Sequence, residues 1–149
     1  MPRQEFVRLM EENVLTLNRL GEQLKIEPGV ISDYPRQQLT TLVRLNIGCR
    51  AKLKDIARRE GITPPHLCAT FRKLEKDCLV ERTIDENDRR NTWYSVTPRG
   101  KEIASRVMEK FREGIEKLFS DIESEDEKRL TAAMKTMNEI LTKMEIKNA

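Results

Sequence analysis

Residues 53–100 contain two short helical patterns joined by a glycine turn and followed by two β-type segments, and few folds accommodate this order. Leu53, Ile56 and Ala57 have the spacing of one helix face. The pattern stops at Gly61, a residue type that commonly ends a helix. The sequence therefore predicts a short helix and a tight turn.

A second helix is predicted from Thr63 to Cys78. Thr63 is a favourable N-cap, and Pro64 follows at the first helical position, where a missing N–H costs nothing. Apolar residues recur on one face of this helix: Leu67, Phe71 and Leu74. They are expected to pack inward and leave the polar side chains outside.

Residues 79–84 and 92–96 are β-type segments on either side of a polar, charged stretch. They predict a hairpin. Two helices with a tight turn and a following hairpin form a winged helix-turn-helix, in which the second helix enters a DNA major groove and the hairpin reaches the backbone or the minor groove. The predicted fold class is mainly α, with a small β-hairpin wing and terminal helices.

Apolar residues also recur at helical intervals over residues 6–24, 36–45, 103–122 and 130–144, and Ser124 to Glu127 has the pattern of a capping box. Residues 36–100 are predicted to be the DNA-binding lobe. Residues 1–35 and 101–149 are predicted to form a helical dimerisation lobe within the same continuous domain.

The terminal apolar stripes indicate an interface, because a monomer would leave them partly exposed. Pairing across a two-fold axis would bury them and place two recognition helices one DNA turn, roughly 34 Å, apart. The alternative is an intramolecular helical bundle.

Charge is unevenly distributed along the chain. Residues 50–101 hold 13 Lys and Arg against 8 Asp and Glu, whereas the whole sequence has a formal net charge of +3. A basic excess attracts phosphate, although solvated surface side chains give the same count.

The predicted recognition helix supplies most of the candidate DNA-binding residues. We expect His66, Ala69 and Thr70 to lie near base edges, and the cations further along to contact phosphates or a guanine edge. On the hairpin tip, two adjacent arginines suit a narrow minor groove. The full candidate set is Thr63, Pro65, His66, Ala69, Thr70, Arg72, Lys73, Lys76, Asp88, Arg89 and Arg90.

Residues 74–100 resemble the multiple-antibiotic-resistance regulator (MarR) family of transcription factors. The residues that carry the resemblance are the run from Leu74 to Arg82, then Asp85, Asp88, Arg89 and Arg90, then Val96, Thr97 and Gly100. The resemblance implies a homodimer that binds a pseudo-palindromic operator on double-stranded DNA. It also implies release, as from a repressor, when a small anionic or phenolic effector binds between the two lobes.

The same resemblance implies that Arg90 is the minor-groove arginine, with Asp88 orienting it or pairing with Arg82. Two residues depart from the family pattern. Cys78 stands where glycine is usual, so its backbone is expected to be left-handed. His66 stands where serine or threonine is common, so the family's base preference does not transfer.

Other function classes have little support. One histidine and three cysteines without a CxxC spacing supply no metal site, and no nucleotide-binding or catalytic motif is present, so we expect neither an enzyme nor a cofactor. The cysteines are expected to be reduced, with redox sensing as an alternative.

No apolar run is long enough to span a membrane, and residues 1–12 lack a signal-peptide pattern, so a cytoplasmic protein without membrane contact is expected. The remaining alternative function is a winged-helix adaptor that binds protein and has no specific DNA binding.

Overall fold

The computed structural model describes residues 2–24, 34–88 and 92–148. The elements in this part of the chain are α1 (Pro2–Gln23), α2 (Arg36–Ile47), β1 (Arg50–Lys52), α3 (Leu53–Glu60), α4 (Pro64–Lys76), β2 (Val80–Ile84), β3 (Thr92–Val96), α5 (Pro98–Leu118) and α6 (Ser124–Asn148). The chain divides into two compact units, Met1–Gly114 and Ile115–Ala149. The predicted fold class is confirmed.

The turn between α3 and α4 forms as the sequence predicts. Gly61 has φ of 62°, in the left-handed region, and its N–H donates to the Ala57 carbonyl, which closes α3. Thr63 is the N-cap residue of α4 with extended backbone, but its side chain makes no capping hydrogen bond. The start of α4 is therefore defined by the Pro64 ring and by the backbone bond from Leu67 N–H to the Thr63 carbonyl, at 3.1 Å.

The core of the first unit lies beneath α4. Leu67, Phe71 and Leu74 are almost completely buried, and the Phe71 ring packs on Tyr94 of β3 with 4.4 Å between ring centroids. Residues of α2, α3, β2, β3 and α5 complete the same cluster. At about 1.5–3 kcal/mol for each fully buried large apolar side chain, this packing fixes which face of α4 is turned outward.

A strand that the sequence analysis missed completes the sheet. β1 pairs antiparallel with β3, so the strand order is β1-β3-β2, and Arg50 lies opposite Ser95 and Lys52 opposite Trp93. The hairpin of β2 and β3 is confirmed, with Val80 opposite Val96. β1 has three residues, too few for an alternating pattern to be recognised.

The hairpin leads into α5 through a tightly bonded junction. Thr97 Oγ1 donates to the Cys78 carbonyl at 2.7 Å and accepts from Gly100 N–H at 3.1 Å, so Thr97 caps α5 and holds the end of α4. A Cβ on Gly100 would collide with the Leu79 carbonyl oxygen. This close approach explains why the Thr-x-x-Gly pattern follows the hairpin.

Two helix boundaries differ from the prediction. α5 ends at Leu118 instead of near residue 122, because Ser120 and Ile122 N–H groups bond to carbonyls three residues back, as in turns. In α6, Ser124 is the first helical residue, and the Glu123 carbonyl accepts the first helical bond, from Glu127 N–H. The expected capping position of Ser124 is therefore wrong by one residue.

Both units carry large exposed apolar side chains. In the first unit most of these are on α1 and α5, namely Phe6, Val7, Leu9, Val14, Leu15, Leu17, Met108 and Phe111, and the others are Ile47 of α2 and Ile84 of β2. In the second unit they are Ile115, Leu130, Met134, Met137, Ile140, Leu141 and Met144. The assignment of residues 1–35 and 101–149 to a dimerisation lobe stays a prediction. The segment predicted to interrupt the first two helices, residues 27–35, lies mostly outside the described residues.

Cys78 has φ of 57°, as expected for a residue in a position that favours glycine. We predict that Cys78→Gly raises the free energy of unfolding by about 0.5–1 kcal/mol, because relief of the left-handed strain exceeds the added entropy of the unfolded chain. The matched control is Asp77→Gly, where φ is an ordinary −85° and the same change should destabilise. Urea unfolding measures both. Equal destabilisation by the two variants would contradict the strain at residue 78.

Candidate nucleic-acid interface

The outward face of α4 is set by its buried face. Opposite Leu67, Phe71 and Leu74 runs a stripe of exposed residues at three- and four-residue spacing: Pro65, Ala69, Arg72 and Lys76. Two cations, a small apolar residue and a proline thus share an open helix surface of the size that enters a major groove.

Thr70 does not belong to this exposed face. It is 6% exposed, and its Oγ1 donates to the His66 carbonyl at 3.3 Å. The prediction that Thr70 lies near base edges is therefore wrong, because residues 67, 70, 71 and 74 share one side of the helix and that side is the core.

One flank of α4 faces α2. The exposed ring of His66 lies there, with 3.0 Å between its Nε2 and Oε1 of Gln37. Further along, Lys73 and Lys76 line a cavity of 670 Å³ together with Tyr34 and Pro35 just before α2, Gln38 of α2, Asp77 just after α4, and Arg99 and Ile103 of α5. Three cations and a phenol side chain give this cavity the chemistry to accept an anion or an aromatic ring.

The other flank of α4 faces the sheet across a cavity of 350 Å³ lined by Lys52, Leu53, Lys54, Cys68, Arg72, Glu75, Arg82, Thr92 and Tyr94. Arg82 Nε lies 4.0 Å from Oε1 of Glu75 on α4, so an ion pair links β2 to α4. Burial raises the pKa of the Tyr94 phenol above its ordinary 10.0, and the Glu75 carboxylate adds to that.

Three cations of this flank, Lys52, Lys54 and Arg82, were not among the candidate DNA-binding residues. Lys52 lies next to α4 because β1 pairs with β3, and Lys54 lines the same cavity from the start of α3. Because β1 was missed, the sequence analysis did not place these lysines beside α4. The local excess of basic residues was the signal for them in the sequence.

Trp93 anchors the base of the hairpin tip. Its Nε1 donates to Asp85 Oδ2 at 3.3 Å, and Asp85 Oδ1 accepts from Asn87 N–H at 3.0 Å. Arg50 and Lys52 of β1 lie over the indole ring, 4.1 Å and 4.7 Å from its centroid. The hydrogen bonds from Asn87 and Trp93 lower the pKa of the Asp85 carboxyl below 3.8.

Three further candidates belong to the hairpin tip. Asp88 is exposed, whereas Arg89 and Arg90 lie outside the described residues. The roles expected for these three residues therefore stay predictions, and so does the pairing of Asp88 with Arg82.

A lowered pKa of Asp85 means that its carboxylate stabilises the folded hairpin above pH 3.8 and that this contribution is lost as the pH falls through the folded-state value. Trp93, the only tryptophan, should report the loss as a change in fluorescence. We predict an acid fluorescence transition that Asp85→Asn removes and Asp88→Asn retains. Circular dichroism separates it from global unfolding. An unchanged transition in Asp85→Asn would contradict the assignment.

The comparisons with known proteins agree with this geometry. Residues 35–92 match the model of the MarR family. The uncharacterized HTH-type transcriptional regulator YwhA of Bacillus subtilis (strain 168) is 26% identical over 80 residues, which are 54% of this chain and 58% of that protein. The chain thus matches little more than half the length of this relative.

Solved structures show the same fold. Streptococcus pneumoniae FabT in complex with DNA superposes with a TM-score of 0.63 at 16% identity, covering 95% of this chain and 96% of that one. A mutant of S. aureus MepR bound to an oligodeoxyribonucleotide has a TM-score of 0.55 at 23% identity, covering 95% and 98%. No helix in the described part of the present chain is long and apolar enough to cross a membrane.

Proposed function

We propose that this protein is a sequence-specific DNA-binding transcriptional regulator and not an enzyme, because residues 35–92 match the MarR family model and α3, α4, β2 and β3 have the order of a winged helix. One observation carries the proposal: the buried face of α4 leaves a stripe with Arg72 and Lys76 open on its outer side. The DNA complexes of FabT and MepR support it, since both have this fold.

In the proposed complex, α4 lies in the major groove with its first two turns at the base edges. Pro65, His66 and Ala69 occupy those turns, and the methyl group of an alanine can contact a thymine methyl. Arg72, Lys73 and Lys76 contact phosphates or a guanine edge, and the exposed Thr63 at the helix start contacts a phosphate through its hydroxyl group. Thr70 takes no part, since it is buried.

We extend the proposal to the hairpin tip. Arg90, with Arg89 beside it and Asp88 orienting it, enters the minor groove that flanks the half-site. An arginine there favours A·T-rich DNA, whose narrow groove has the more negative potential. Two contacts support this role because they give the tip a fixed base: the hydrogen bond from Trp93 to Asp85, and the packing of Arg50 of β1 over the Trp93 ring.

A homodimer completes the proposal. Apolar side chains on α1 and α6 are exposed, and a two-fold assembly would bury them. The same assembly would present two copies of α4 to a pseudo-palindromic operator. Dimers are typical of the family.

For regulation, we propose repression in the cytoplasm, relieved by a small anionic or phenolic effector. Its binding place is the 670 Å³ cavity beside Lys73, Lys76 and Arg99. An effector in this cavity would contact the two lysines of α4 directly and so weaken their contact with DNA. Control by cysteine oxidation is the alternative.

The salt dependence of binding tests the role of α4. We predict that purified protein is retained on duplex DNA at low salt, and that Arg72→Ala lowers the slope of log K against log salt by about one per half-site, since one phosphate contact is lost. Arg106→Ala, an exposed change on α5, is the control and should keep the parental slope. Fluorescence anisotropy over a salt series gives the slopes.

Arg90→Ala should differ from Arg72→Ala. It should weaken specific binding by about 1–3 kcal/mol per half-site and reduce the preference for A·T-rich flanks. If the parent does not bind duplex DNA at low salt, the DNA-binding proposal is wrong and the adaptor function remains. If both variants, shown to be folded, bind with parental affinity and slope, the assigned contacts are wrong.

The dimer proposal predicts that Leu130→Arg combined with Met134→Arg yields a monomer, because both side chains lie on the apolar face of α6 and would place charge in the interface. The control pair is Ala132→Arg with Glu139→Arg, two exposed positions on the opposite side of the same helix. Analytical ultracentrifugation separates a dimer from the 17.4 kDa monomer. A tight dimer in both double variants, or a monomeric parent, would contradict the interface.

A further inference from the structure

His66 and Gln37 form a polar pair between the first turn of α4 and the first turn of α2. The distance from His66 Nε2 to Gln37 Oε1 is 3.0 Å, and both side chains are exposed. His66 is the only histidine in the sequence. Gln37 was not among the candidate DNA-binding residues, because 29 positions separate it from His66 in the chain.

Buried neighbours fix the backbone at both ends of this pair. On α2, Gln37 precedes the buried Gln38 and Leu39. On α4, His66 precedes Leu67, which is completely buried, and its carbonyl accepts the hydrogen bond from Thr70 Oγ1. The backbone positions from which the two side chains extend are therefore fixed.

The contact with Gln37 favours one tautomer of the His66 ring. An amide oxygen such as Gln37 Oε1 only accepts, so the contact is a hydrogen bond when His66 carries a proton on Nε2. In the neutral imidazole the other nitrogen, Nδ1, is then an acceptor. The two ring nitrogens point to different sides of the ring, so Nδ1 is turned away from Gln37. No other hydrogen bond of this ring is found among the described residues.

We propose that Gln37 is a positioning residue for base recognition, which holds His66 as an acceptor toward the major groove. This inference rests on the proposed DNA-binding function. An acceptor pairs with the exocyclic amino group of adenine or cytosine, whereas guanine and thymine present acceptor oxygens to the major groove at the equivalent position. The pair would therefore select adenine or cytosine at one position of each half-site and disfavour guanine.

The pair contributes to recognition more than to folding. Water replaces a hydrogen bond between exposed side chains at little cost, so loss of the Gln37 amide should leave the stability unchanged. In contrast, the Nδ1–H form of the ring could donate to guanine N7 or O6 once Gln37 no longer holds the proton on Nε2. Removal of Gln37 should therefore change the base preference and not the fold.

Because His66 is the only histidine in the sequence, the imidazole signals in an NMR spectrum belong to it, and the first test uses them. In ¹⁵N NMR spectra above pH 8, the two ring nitrogens of the parent should have widely separated shifts that identify the Nε2–H form. In Gln37→Leu the two shifts should move toward each other as the Nδ1–H form gains population, and Gln37→Glu, which keeps an acceptor oxygen, should restore the parental pattern. Gln23→Leu, an exposed glutamine on α1, is the control.

The second test measures base preference on operator duplexes selected with the parent and varied at each position. His66→Ala identifies the position that His66 reads. At that position the parent should prefer adenine or cytosine over guanine by about tenfold, which corresponds to about 1.4 kcal/mol. Gln37→Leu should reduce this ratio to about twofold or less and have no further effect in the His66→Ala background.

These outcomes separate the inference from the function on which it rests. A parent that selects no operator contradicts both. Specific binding with an unchanged base preference in Gln37→Leu overturns the inference alone, and so does a parental imidazole in the Nδ1–H form or an NMR pattern that Gln37→Leu does not alter. A reduced preference at the His66 position together with converging shifts supports it.

Discussion

The burial of Leu67, Phe71 and Leu74 is the constraint on which the rest of the site depends. Because these side chains are almost completely removed from water within one apolar cluster, with Phe71 on Tyr94 of β3, α4 has one rotation about its axis and one outward face. The positions of Arg72 and Lys76 follow from that rotation. The chemistry of the surface is thus determined by the core beneath it, and a loosened core would disperse the cations as well as destabilise the fold.

The contacts of the sheet with the helices that precede and follow it hold the hairpin in a fixed position relative to α4. Thr97 connects the end of α4 to the start of α5 through two hydrogen bonds, and the close approach of Gly100 to the Leu79 carbonyl leaves no room for a side chain there. At the other end of the hairpin, Trp93 lies between Asp85 and the cations of β1. Helix and hairpin therefore form one unit, which is what simultaneous contact with a major and a minor groove requires.

Much of this fold could be predicted from the sequence, because its signals are local. The stop at Gly61 and the strained φ of Cys78 follow from residue type and position. The omissions arose where distant segments decide the outcome. β1 exists through its pairing with β3, and the partner of His66 comes from a helix 29 residues away. Thr70 is different: its spacing from Leu67 and Phe71 already placed it on the buried side, and its polar side chain obscured that signal.

The central claim is that the two copies of α4 in one dimer bind the two half-sites of an operator. The most direct test is to select duplexes from a random pool with the purified protein. The account predicts enrichment of a pseudo-palindrome whose half-site centres are about 10–10.5 base pairs, or a multiple of that, apart. Recovery of no motif, or of a single asymmetric site, would contradict it.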